Sequence, residues 1–150
     1  MAKLKYKSFN PITSFDCGKD WISIISFALS VDVKLIGFNI SWAGFVFFKK
    51  SVRNVNYNNK KLFDIGKNKI GKVALFVDPI DGFLETVVEK VNPDLIQLHG
   101  SENPERCSYI RKKFGIPIMK ALQLKDLNSF KIVSKFENFV DRLLFDAKLT

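Results

Sequence analysis

Between Lys72 and Lys148 the chain reads KVALFVD (72–78), DLIQLHG (94–100), IPIMKAL (116–122) and RLLFDAK (142–148), four apolar runs set about 22 to 26 residues apart. Each run has the length and composition of a buried strand, and polar loops and helix-like segments lie between them. That alternation is what repeated β-α units need in order to build a parallel sheet. Several runs end in a polar residue, and folds of this kind keep their active sites at the carboxyl ends of their strands. The rhythm predicts an α/β enzyme.

The segments around these runs extend the pattern. AGFVFF (43–48) reads as a further buried strand, and KKSVRNVNYNNKK (49–61) as a polar, basic loop running toward a short helix near Lys61 to Ile65. Phe83, Leu84, Val87 and Val88 recur at helical spacing, and that helix should stop before Asn92-Pro93. Pro104 suits a first helical turn, Cys107, Ile110 and Phe114 share one face, and Gly115 ends the helix. Leu127, Phe130, Val133 and Phe136 form a last helical stripe, and strands are expected over Val73 to Val77, Leu95 to Leu98, Ile116 to Leu122 and Leu143 to Phe145. Residues 1–40 do not keep the rhythm, so the chain divides into an irregular N-terminal segment and a β-α domain over 41–150. In that segment LKYKSF (4–9) is a possible first strand, Asp20 to Ser30 a possible first helix, and VDVKLIGF (31–38) an additional strand.

Composition bounds the class. The 150 residues are 47% hydrophobic and 13% aromatic, enough for a real core and against disorder. They are too few for a complete eight-unit barrel, which takes roughly 200 to 250 residues. With 24 Lys+Arg against 15 Asp+Glu the formal charge is +9, which favours an anionic partner, although the lysines are scattered as pairs and form no single stripe. Cys17 and Cys107, in a chain whose start MAKLKYKSFN has no signal-peptide character, fit a reducing cytoplasm better than a disulfide framework. Trp21 to Leu29 is too short an apolar run to span a bilayer. One histidine and two distant cysteines offer no metal-ligand spacing.

Taken in order, WAGFVFFKKSVRNV (42–55), KVALFVD, DLIQLHG, GIPIMKAL (115–122) and DRLLFDAK (141–148) closely resemble the phosphoribosylanthranilate isomerase family, over about residues 41–148. The resemblance implies a partial (βα)8 barrel of about six of eight β-α units with parallel strands. It also implies an Amadori rearrangement in tryptophan biosynthesis, a small phosphorylated substrate, no cofactor, and no membrane or nucleic-acid partner.

The same resemblance assigns roles that chemistry can examine. Opening the substrate's ribosyl ring needs a general acid for the ring oxygen, and a carboxyl does this near neutrality if an apolar setting keeps its proton on. Asp146, after Leu143, Leu144 and Phe145, matches the family's catalytic aspartate. Arg53, in the KSVR loop, matches the substrate-binding arginine, whose planar fork suits a carboxylate. Gln97 and His99 belong to QLHG, and strand alternation puts both on one face, toward the barrel interior and its mouth, as substrate contacts. The alternative readings of these residues are a loop cap for Asp146, a surface cation for Arg53 and a structural group for His99.

Departures from the family pattern are also visible. Val52 stands where the family usually has proline. The family opens with K-I-C-G, whose cysteine is the general base for the C2 proton, and no such motif occurs here. Its position falls on Phe9 or Asn10 if the first strand is KYKSFNPIT, and on Ile36 if it is VKLIGFNI. Cys17 is expected to be a surface or core thiol and Cys107 a packing residue. The family's last two strands and glycine-rich phosphate loops have no counterpart before Thr150, so a truncated or frame-damaged copy, inactive alone, is expected. A nonenzymatic barrel fragment completed by another piece, and a basic polyanion-binding module, are the alternatives.

Overall fold

The computed structural model describes residues 21–23, 42–64, 70–124 and 131–147. Its six strands are β1 (Trp21–Ser23), β2 (Trp42–Val46), β3 (Gly71–Phe76), β4 (Leu95–Leu98), β5 (Ile118–Leu124) and β6 (Arg142–Ala147). Between them lie the helices α1 (Lys60–Phe63), α2 (Asp81–Val91), α3 (Pro104–Phe114) and α4 (Val133–Phe136). The strands form one sheet in chain order, and every neighbouring pair is parallel. A doubly wound sheet would reverse its strand order partway. Unbroken sequential order is the wall of a β/α barrel.

Local chemistry explains the helices. In α2, Leu84, Val87 and Val91 are buried along one stripe, and the helix closes on Asn92 in the left-handed region at φ 48° before Pro93 blocks continuation. In α3 the Asn103 side chain accepts from the Arg106 N–H at 2.8 Å, Pro104 occupies the first turn, and Gly115 closes the helix at φ 64°.

The sheet is buried on both sides. Phe45, Phe76, Ile96 and Ile118 pack outward against helix residues such as Leu84, Cys107 and Ile110. Val73, Leu95 and Met119 face the opposite way, joined by half-buried Trp42 and Leu144. This double burial is why the strands read as nearly continuous apolar runs.

Two aspartates fix the amino ends of the strands by the same device. Asp94, just before β4, accepts the Lys72 N–H at 2.8 Å and returns its own N–H to the Lys72 carbonyl at 2.9 Å. Asp141, just before β6, does the same to Ile118, at 2.8 and 2.9 Å.

Four elements show the larger departures from the sequence reading. Trp21–Ser23 is a strand paired with β2, where a first helix was expected; an aromatic and a β-branched residue favour a pleated surface over a helix. β5 starts at Ile118 and not Ile116, because Pro117 has no N–H to give the ladder, and it runs on to Leu124 because β6 pairs with it that far. The basic loop's helix is Lys60–Phe63, and the last stripe yields a helix only over Val133–Phe136, Leu127 and Phe130 lying outside the described residues. The strands considered over 4–9 and 31–38 also lie outside them.

Candidate active site

Parallel strands put all their carboxyl ends on one rim. At that rim β4 delivers Gln97 and, one residue past its end, His99, while β6 delivers Asp146. The Gln97 amide nitrogen lies 3.3 Å from His99 Nδ1, and His99 Nε2 lies 3.3 Å from Asp146 Oδ2. The imidazole thus bridges the two side chains, Nδ1 facing the Gln97 amide and Nε2 facing the Asp146 carboxyl. Gln97 is buried, and the side chains of His99 and Asp146 are 29% and 49% exposed. Three of the four residues expected at the site are thus joined in one chain of contacts.

Arg53 stands apart from that chain. It is exposed in the loop after β2, its N–H donating to Ser51 Oγ at 3.1 Å. The loop folds back on its own strand, with the Val55 N–H donating to the Val46 carbonyl at 2.9 Å, so Arg53 is held at the same rim two strands from Gln97.

Among the described residues the Asp146 carboxyl is half-exposed and lacks the apolar enclosure expected around it. Alternation along β6 turns neighbouring side chains to opposite faces, so Phe145 does not cover the carboxyl, and the ring is itself 48% exposed. Leu143 packs with the helix-side core and Leu144 with the inner cluster, both below the rim.

The positions considered for a first-strand base, Phe9 or Asn10 on one alignment and Ile36 on the other, lie outside the described residues, as does Cys17. Cys107 is fully buried among the α3 packing residues, and burial pushes its thiol up to about 11. It is a packing residue of the core. Among the described residues no cluster of His, Cys, Asp and Glu could hold a metal ion, and no helix is long and apolar enough to cross a membrane.

Residues that the sequence reading passed over line the underside of the rim. Asp78 takes a left-handed conformation at φ 44° after β3, and its Oδ1 accepts from the Ser101 N–H at 2.7 Å and hydroxyl at 2.9 Å. Below it Lys120 and Glu102 form a buried ion pair at 3.0 Å. Lys120 interrupting the apolar run IPIMKAL was the available signal, since a lysine in a buried strand needs a buried partner.

Comparison with known proteins agrees with this geometry. A model of the N-(5'phosphoribosyl)anthranilate (PRA) isomerase family matches residues 29–149. N-(5'-phosphoribosyl)anthranilate isomerase of Mesorhizobium japonicum is 40% identical over 114 residues, which are 75% of this chain and 52% of that protein. The enzyme of Paramagnetospirillum magneticum is 44% identical over 108 residues, 71% of this chain and 50% of the relative. The crystal structure of phosphoribosyl anthranilate isomerase from Thermotoga maritima superposes with a TM-score of 0.67 at 24% identity, over 74% of this chain and 53% of that one. A second isomerase structure, in complex with reduced 1-(o-carboxyphenylamino)-1-deoxyribulose 5-phosphate, gives 0.66, over 73% and 55%. The chain spans about half the length of the curated relatives it matches. Its fold is part of a (βα)8 barrel. With most of its length matched by the family model, and with the QLHG and LFDA runs meeting at one rim, the chain belongs to the PRA isomerase family.

Proposed function

We propose that this chain carries the central part of a phosphoribosylanthranilate isomerase site. Completed to its relatives' length, it would perform the Amadori rearrangement of N-(5'-phosphoribosyl)anthranilate to 1-(2-carboxyphenylamino)-1-deoxyribulose 5-phosphate, in the cytoplasm and without a cofactor. The observation that carries this reading is the contact chain Gln97–His99–Asp146 at the carboxyl ends of β4 and β6. Asp146 is the general acid that protonates the ribosyl ring oxygen as the ring opens. His99, held by Gln97, keeps the carboxyl in place and contacts the substrate. A substrate lying across the rim excludes water from a carboxyl that is otherwise half-exposed. Arg53 grips the anthranilate carboxylate through its planar fork. Abstraction of the C2 proton needs a base that the family supplies from its K-I-C-G motif, and the 150 residues contain no such motif. The chain alone is therefore expected to show no measurable turnover.

The test uses the chain completed with a relative's remaining β-α units and a K-I-C-G first strand, assayed against the parent relative. Asp146→Asn preserves shape but removes the transferable proton, so kcat should fall about 10² to 10⁴-fold with KM little changed. Arg53→Lys should instead raise KM, because an ammonium cannot reproduce the two-pronged contact. An Asp146→Asn enzyme that keeps kcat within about twofold, far less than a general acid is worth, overturns the assignment.

A further inference from the structure

Glu102 and Lys120 are 6% and 2% exposed, and neither touches the rim contacts of Gln97, His99 and Asp146. Burying an ion pair costs more desolvation than the attraction readily returns, so its partners in the structure are informative. Here they are almost all backbone groups of two rim turns. Glu102 Oε1 accepts the Asp78 N–H at 2.9 Å, after β3, and Oε2 accepts the Gly100 N–H at 2.9 Å. Lys120 Nζ, rising from β5, donates to the Gly100 carbonyl at 2.6 Å and lies 3.4 Å from the Leu98 carbonyl.

His99 lies between these anchors. The Leu98 carbonyl belongs to the peptide on one side of its Cα and the Gly100 N–H to the peptide on the other, so Lys120 holds the first and Glu102 the second. The His99 N–H itself donates to the Phe76 carbonyl at 2.9 Å. With both flanking peptide planes fixed, φ and ψ of His99 are fixed, and with them the direction in which its imidazole leaves the backbone. That direction leads to Asp146.

We propose that the buried Glu102–Lys120 pair is the positioning device that aims His99 at Asp146. Its value to catalysis rests on the isomerase reading, whereas the aiming itself does not, and the two can fail separately.

His99 is the only histidine, so the imidazole signals in an NMR spectrum of the full chain are its own. Asp146→Asn should displace them, since it replaces the partner of Nε2. Glu102→Gln puts an amide nitrogen, which cannot accept, where one carboxylate oxygen was. In that background the displacement caused by Asp146→Asn should shrink to about half or less, the signature of coupled sites. Val87→Ala, which opens a cavity on α2, should leave the displacement at full size. An undiminished displacement in Glu102→Gln overturns the proposal. So does an equal loss in Val87→Ala, which would reduce the pair to general support, or the absence of any displacement in the unchanged chain. If Glu102→Gln does not fold, amide exchange in the unmodified chain decides: the Gly100 N–H should exchange only as slowly as the β4 amides, and exchange at the rate of an open loop overturns the proposal. None of these measurements depends on turnover, so a chain without isomerase activity would leave them readable.

Discussion

Cys107 is a residue whose titration burial changes. Burial moves its thiol from an ordinary 9.0 up to about 11, so above pH 9 the unfolded chain releases a proton that the folded chain keeps. The unfolded form is then favoured as pH rises, and the loss of stability starts near 9.0 and is complete once pH passes about 11. It amounts to about 2 to 3 kcal/mol at most. Urea midpoints across this interval should fall less in Cys107→Ala than in the parent, the lysines and tyrosines titrating equally in both. Equal slopes would show that the thiol is not shielded. At this scale the site was partly legible: alternation along a strand of known polarity puts Gln97 and His99 on one face, and the parallel direction of the strands puts the strand-terminal Asp146 at the same rim. The surroundings were not legible, because how far the Asp146 carboxyl is exposed depends on tertiary packing at the rim. Nor was the Glu102–Lys120 pairing, since it crosses from one β-α unit into the next.

Among the connecting elements, the turn after β4 has little room at Gly100. A Cβ added to Gly100 would stand 2.6 Å from Asp78 Cγ and 2.7 Å from the Asp78 backbone nitrogen, and a backbone atom cannot swing aside as a side-chain tip can. Gly100→Ala should therefore destabilise the chain by about 1 to 3 kcal/mol, as overpacking does, measured as a lowered urea midpoint. Gly82→Ala, with nothing near its Cβ, is the matched control and should not lower it. Legibility differed sharply between elements. α3 could be read from Pro104 through Gly115 because its boundaries are set by local backbone chemistry, to which the structure adds the Asn103 cap. β4 matched its apolar run because that strand is buried on both faces. Trp21–Ser23 could not be read, since three residues carry no periodicity and their strand character comes from pairing with β2.

Across the whole molecule, protection should be graded from the middle of the sheet. β3, β4 and β5 each have a strand on both sides, whereas β6 has a neighbour on one side only among the described residues. Amides of β4 should exchange with solvent about tenfold or more slowly than those of β6, and equal rates would contradict that grading. The aspartate device at the amino ends has a further consequence when the order of synthesis is considered. Asp94 secures β3 as β4 begins, and Asp141 secures β5 as β6 begins. Each strand from β3 onward finds its earlier partner one β-α unit back along the chain. A nascent polypeptide leaving the ribosome can thus lay down this wall in the order in which it is translated, each new strand docking on the edge left by the last. No strand in that stretch needs to wait unpaired for longer than the synthesis of one further unit.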